Sequence, residues 1–235
     1  SIVDDVDDAD LVIVNTCAFL ASAVEEGLEV IFDLVGRENA AGRELKVLVA
    51  GCMPARYGDD LAAELVEAAG FLAADDEDNV VEEVTRLLDG DVSLVRADRS
   101  LIRHAYPTSA YVKISDGCDR FCSYCMIPHI RGRYRSYPLS RIDDEVAELV
   151  CNGVREIVLI GQDTGIWGHD LEEPSTTATL VRTLAHRYPD TWFRLLYVQP
   201  EGIDDELLDV IATYPNVCPY LDMPLQHVNA EVLAH

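Results

Sequence analysis

The sequence predicts an α/β fold built as two successive parallel α/β units, the second an open or incomplete barrel. Three observations carry this. Leu11-Val12-Ile13-Val14 and Val47-Leu48-Val49-Ala50 are short aliphatic runs of the kind buried in parallel sheets. Val24, Leu28, Ile31 and Val35, and later Val80, Val81, Val84, Leu87 and Leu88, recur at helical spacing and stop at Gly36 and Gly90. The alternation then restarts at Tyr111, after an aperiodic stretch that contains Pro107. Strands alternating with helices close a parallel sheet through right-handed crossovers.

In the second half, Tyr111-Val112-Lys113-Ile114 reads as a strand. Ser140 and Asp143 form a pair resembling a capping box, opening a helix with the stripe Ile142, Val146, Leu149 and Val150. Strands are expected over 156–160, 192–198 and 220–223, and helices near 176–187 and 204–213. The expected division is a first domain over residues 1–98, a linker over 99–109 and a second domain over 110–235. Charge supports it: the first 100 residues hold 24 acids and 7 bases, the remainder 19 and 11.

The length of 235 residues with 49% apolar content is ample for two modest cores. A net charge of −25 disfavours non-specific wrapping of nucleic acid. Seven cysteines, an odd number, gather at strand ends and in one tight loop instead of forming pairs. With no secretory leader in view, a reducing cytoplasm is the expected location. The apolar stretch from Leu11 to Val24 is broken by Asn15, Thr16 and Ser22, so no membrane segment is expected. The chain starts without Met directly before a strand and stops after barely one helical turn, so a fragment lacking both termini is expected. A sheet left unclosed in this way presents an open edge, and the fragment alone is expected to be inactive or poorly soluble.

The most informative run is Asp116-Gly117-Cys118-Asp119-Arg120-Phe121-Cys122-Ser123-Tyr124-Cys125. Three thiolates this close, directly after a strand, can hold three irons of a cubane cluster and leave the fourth open to a ligand. Arg120 among the thiols favours their ionised form. The competing reading is a zinc site completed by His129, four residues beyond Cys125. Elsewhere, Cys17 and Cys52 each follow the carboxyl end of an expected parallel strand, the rim on which open α/β sheets bind ligands. Two buried structural cysteines would be the plain alternative.

The run CxxxCxΦC, with Tyr124 as the aromatic, resembles the hallmark of the radical S-adenosylmethionine superfamily. Ile127-Pro128-His129-Ile130-Arg131-Gly132-Arg133-Tyr134-Arg135-Ser136-Tyr137-Pro138 narrows the likeness to the radical methylthiotransferases. So do Asn15-Thr16-Cys17-Ala18-Phe19 and Gly51-Cys52-Met53-Pro54-Ala55-Arg56-Tyr57. The resemblance implies a methylthiotransferase N-terminal domain and a partial (βα)6 radical barrel. It implies a 4Fe–4S cluster on Cys118, Cys122 and Cys125 whose open iron chelates S-adenosylmethionine, from which a 5′-deoxyadenosyl radical is released. It implies a second, auxiliary 4Fe–4S cluster on Cys17, Cys52 and a third cysteine upstream of the Asn-Thr-Cys segment. That third position is not within these residues, and neither Cys151 nor Cys218 matches it.

Three segments resemble the branch that acts on an aspartate of small-subunit ribosomal protein S-twelve: Asn15 to Leu20, Gly161-Gln162-Asp163-Thr164, and Asp222-Met223-Pro224-Leu225-Gln226-His227. The other branch of the family modifies adenosine in transfer RNA. Partners implied are the ribosomal protein, an electron-donor protein and a sulfur donor. The likeness also implies that Gly161, Gln162 and Asp163 contact the methionine part of the cofactor, with Tyr124 beside its adenine. A plain turn is the other account of Gly161 to Asp163, and local packing the other account of Tyr124 and Phe121. It departs at Val198-Gln199-Pro200, where the family more often has an aromatic before the proline. Arg120, Arg131, Arg133, Arg135 and Arg141 are five bases in 22 residues, candidates to pair with a cofactor or substrate carboxylate or to stay solvated. Asp222, Gln226 and His227 are expected at the active-site rim at the end of the last strand, with a capping or core role equally open for His227.

Overall fold

The computed structural model describes residues 2–88 and 108–233. Most of the expected 99–109 linker, and the Gly90 helix stop, lie outside the described residues. The described chain forms two compact units. One comprises the residues up to 88 together with Tyr124–Gly132, and the other comprises 108–123 with Arg133 onward.

The first unit holds a parallel sheet of order β1-β2-β3: β1 is Leu11–Thr16, β2 Lys46–Gly51 and β3 Gly70–Ala73. β2 is central, and its aliphatic run is buried on both faces. Val47 and Val49 pack with Ile31 and Leu34 of α1 (Ala21–Leu34) and with Met53 and Leu61 of α2 (Cys52–Glu64). Leu48 and Ala50 point the other way, against Leu87 of α3 (Val80–Leu87). Of the stripe foreseen for α1, Ile31 is buried and Val24, Leu28 and Val35 are half-buried against the same core, with Leu34 buried beside them, and Gly36 follows the helix with φ +76°.

In the second unit β4 (Ser109–Lys113), β7 (Glu156–Ile160) and β8 (Trp192–Leu195) form a parallel sheet of order β4-β7-β8. Between β4 and β7 come a two-residue antiparallel pair, β5 (Ser115–Asp116) with β6 (Arg135–Ser136), then α5 (Leu139–Cys151). The short α4 (Ile127–Ile130) lies inside that excursion and belongs to the first unit. α6 (Thr177–Arg187) and α7 (Asp205–Thr213) complete the repeats, and α8 is Ala230–Leu233. Val112, Ile114, Ile142, Val146, Ile157, Leu159, Leu184 and Phe193 are all at or below 1% exposure and make one core.

Three expectations need correction. α5 starts at Leu139 after Pro138, with no side-chain cap. Asp143 instead pairs with Arg187 and accepts from the Tyr188 hydroxyl at 2.9 Å, which pushes the Tyr188 pKa up to about 12 through burial and that contact. β8 ends at Leu195, short of Val198, because Tyr197 turns into the left-handed region (φ +61°). No strand forms over Tyr220–Met223. The chain touches β8 through a single bridge, Phe193 to Val217, and Val198 donates to the Asp222 carbonyl at 3.0 Å. Pro219 and Pro224 bracket the segment, and neither has an N–H to give to a ladder.

Candidate functional site

Both units present their chemistry at the carboxyl ends of parallel strands. In the first, the register pairs Thr16 with Gly51, so Cys17 and Cys52 are the next residues out on neighbouring strands. Thr16 fixes that rim. Its hydroxyl donates to the Ala50 carbonyl at 2.7 Å and accepts from the Met53 amide at 3.2 Å. Arg56 donates to the Ala18 carbonyl at 2.5 Å and so holds the turn after Cys17. Gly51 has φ +94°, and a Cβ there would lie 2.4 Å from Asn15 Oδ1 and 2.7 Å from the Thr16 carbonyl. The motif residues around the two cysteines are therefore the scaffold of the rim. Cys17 is exposed and Cys52 half-buried.

In the second unit, the Ile114 amide donates to the Ile160 carbonyl at 2.9 Å, and the β5–β6 pair then pinches the base of the cysteine loop. Asp116 is 2% exposed; it accepts from the Gly117 amide at 3.0 Å and from Lys113 Nζ at 3.3 Å. Asp119 accepts from the Tyr134 amide at 3.2 Å, tying the loop to its return strand. Phe121 adopts φ +47°, a conformation a bulky residue takes only under constraint, and the Arg133 guanidinium lies over its ring at 4.7 Å. Cys118 is buried and Cys122 half-buried; Tyr124, 63% exposed, and the half-buried Cys125 belong to the first unit.

None of the seven cysteines is in a disulfide. Three clustered thiols are soft donors suited to iron–sulfur ligation, so the residues present fit such a group. Among the described residues no three His, Cys, Asp or Glu side chains are already drawn together around a metal position.

Gly161, Gln162 and Asp163 follow β7 on the same rim. A Cβ on Gly161 would meet Ser115 Oγ at 2.4 Å, so the close approach this glycine allows is to the neighbouring strand end. Gln162 Oε1 is buried without a hydrogen-bond partner, and the Tyr134 hydroxyl is buried beside the hydroxyls of Ser115 and Ser136. Burial raises the Tyr134 pKa and keeps the phenol neutral. Asp163 is fully buried, and both its oxygens are engaged, Oδ2 by Arg120 Nε at 2.8 Å and Oδ1 by the Gly165 amide at 3.3 Å.

The five clustered arginines have partners within the chain. Arg120 binds Asp163 and Glu201; Arg131 donates to the Ala74 carbonyl at 3.5 Å; Arg133 reaches Asp119; Arg135 lies 4.0 Å from Asp116; Arg141 stacks on Tyr137 at 3.9 Å. Sequence reasoning missed these pairings because the partners lie up to 81 residues away. Asp222 and His227 sit in irregular chain instead of at a strand end. Asp222 accepts from the Tyr197 amide at 2.9 Å, and His227 Nδ1 accepts from the Asn229 amide at 2.9 Å.

Among the described residues no helix is long and apolar enough to cross a membrane. The chain is 41% identical to "Ribosomal protein uS12 methylthiotransferase RimO" of Syntrophus aciditrophicus, over 99% of this chain and 54% of that protein. It is also 41% identical to the protein of the same name from Geobacter sulfurreducens, over 96% of this chain and 52% of that protein. It thus spans about half the length of the curated relatives it matches. Among solved structures, the radical S-adenosylmethionine methyltransferase TsrM from Kitasatospora setae, with tryptophan and a cofactor analogue bound, superposes with a TM-score of 0.63 at 15% identity. That match covers 95% of this chain and 49% of that one, and it speaks for the fold. Residues 1–73 match the family described as "Uncharacterized protein family UPF0004". Residues 112–235, more than half of the chain, match the radical SAM superfamily model and include the cysteine loop and both later rim turns: the chain belongs to the radical SAM superfamily.

Proposed function

We propose that this chain is part of a cytoplasmic methylthiotransferase that modifies the β-carbon of an aspartate in small-subunit ribosomal protein S-twelve. The observation that carries the reading is the pairing of two thiol-bearing rims in one chain. Cys17 and Cys52 emerge side by side from β1 and β2, and Cys118, Cys122 and Cys125 follow β4. The name borne by relatives at about 40% identity supports the ribosomal protein over transfer RNA as substrate. A charge of −25 agrees, since it favours a basic protein target and repels a polyanion.

In this reading Cys118, Cys122 and Cys125 hold a 4Fe–4S cluster, and Cys17 and Cys52 supply two ligands of an auxiliary one. When bound, the first cluster supplies the electron that cleaves S-adenosylmethionine and starts hydrogen abstraction. The chain's own residues do the positioning. Asp116, Asp119 and Arg120 shape the loop from which the thiols project. Gly161 and Gln162 border the cofactor on the rim of β7, with Asp163 in the same turn. Residues 1–98 form the methylthiotransferase domain, 99–109 the linker and 110–235 the radical core. An electron-donor protein and a sulfur donor complete the system.

The test is product analysis with the anaerobically reconstituted full-length protein offered both substrates. A mass gain of one methylthio group on the ribosomal protein is expected. A gain on transfer RNA alone would overturn the substrate assignment.

A further inference from the structure

Arg120 sits between two of the loop cysteines, yet its side chain points away from open solvent and into the rim. Its Nε donates to Asp163 Oδ2 at 2.8 Å and its Nη1 to Glu201 Oε2 at 2.8 Å. Three loops meet at this one guanidinium. Arg120 follows β4, Asp163 follows β7 and Glu201 follows β8, the three neighbouring strands of the second unit's sheet. The two acid-bearing turns are pressed together backbone to backbone: a Cβ on Gly165 would lie 2.8 Å from Gly202 Cα, and one on Gly202 2.6 Å from Gly165 Cα. Glycine at both places is what lets Asp163 and Glu201 flank the same arginine.

The two contacts are unequal. Asp163 is 0% exposed and Arg120 27%, whereas Glu201 is 69% exposed. Burial alone would lower the Arg120 pKa, but the hydrogen bond and charge of Asp163, followed by those of Glu201, outweigh it and raise the value. Breaking the inner contact strands a buried charge, which is costly. The outer one is a surface ion pair of small worth.

We infer that Asp163 is a positioning residue that latches the cysteine loop through Arg120, with Glu201 as the outer half of the latch, instead of a direct cofactor ligand. Its carboxylate is fully buried with both oxygens engaged: one holds Arg120 and the other caps the turn at Gly165. The arginine's neighbours in sequence, Cys118 and Cys122, are thereby held to the β7 rim before any metal arrives. The catalytic meaning of this latch rests on the proposed function, but its geometry does not.

The test is thiol alkylation of the metal-free protein, followed residue by residue by mass spectrometry. Asp163→Asn should accelerate labelling of Cys118 and Cys122 about tenfold by easing local opening of the loop. Buried Cys218, beside the core strand β8, and exposed Cys151 should keep their rates. Arg120→Gln should reproduce the effect, and the double variant should be no faster than either single one. Unchanged Cys118 and Cys122 rates in folded Asp163→Asn would overturn the latch. If that variant labels Cys218 as well and has therefore unfolded, Glu201→Gln decides. An increase of about twofold at Cys122 then supports the latch, and an unchanged rate overturns it. A second arm separates the latch from the reading it serves. In reconstituted protein, Asp163→Asn should lose iron to a chelator faster than the parent. A loosened loop in the metal-free protein with unchanged iron loss would leave the latch standing and remove these cysteines from the ligand set.

Discussion

Replacing Cys122 by alanine is expected to remove about four irons per chain from reconstituted protein and to reduce cleavage of S-adenosylmethionine to background. Two remaining thiolates cannot hold a cubane. The fold should barely notice. Cys122 is half-buried in a loop and contributes nothing to the core around Phe193, so the midpoint of thermal unfolding of the metal-free variant should stay within about 2 °C of the metal-free parent. Iron counting and sulfide analysis of the reconstituted sample, with a melting curve of the metal-free one, check both halves. Full iron content with undiminished cleavage would remove Cys122 from the ligand set. A large drop in stability would instead give the residue a structural role.

The second large effect falls on the first unit. Gly51→Ala is expected to destabilise it by about 3 kcal/mol, the upper end of the cost of a side chain forced into a glycine-only conformation. With φ at +94° the strain is intrinsic, and the added methyl would collide with the Thr16 carbonyl, which is backbone and cannot swing aside. The rim would have to open between β1 and β2, the place where Cys17 and Cys52 emerge. Urea unfolding followed through this unit measures the loss. On the proposed reading, in which Cys17 and Cys52 hold an auxiliary cluster, retention of that iron should fall with it. A variant within about 0.5 kcal/mol of the parent would show that the rim is more pliable than this packing implies.

Much of this could be read from the chain. Where an element is long and its period clean, sequence and structure agree: the runs at Val12 and Val47, the stripe of α1, and the helices 177–187 and 205–213. The helices bury one stripe and β2 both faces, and burial imposes a visible pattern; β1 forms as a strand but at the sheet edge, with Ile13 43% exposed instead of buried. What escaped is short or long-range. β3 has only four residues, Gly-Phe-Leu-Ala, too few to show a period, and the β5–β6 pair has two on each side. The strand foreseen at Tyr220 failed because its prolines remove donors, and the helix cap at Ser140 failed because Asp143 is used elsewhere. Of the candidate site, the thiols and their place after strands were legible, since ligand spacing is local. The partners of Arg120 were not, because a contact across 43 or 81 residues depends on how three loops meet at one sheet edge. Thr16 and Arg56 likewise looked like motif letters, and only their hydrogen bonds show that they hold the first rim together.

The most direct measurement of the central claim is the fate of S-adenosylmethionine on oxygen-free, reduced, reconstituted full-length protein. The account predicts iron and sulfide bound at Cys118, Cys122 and Cys125 and steady formation of 5′-deoxyadenosine and methionine. Stoichiometric zinc on those thiols with His129, no iron, and an intact cofactor after prolonged reduction would contradict it.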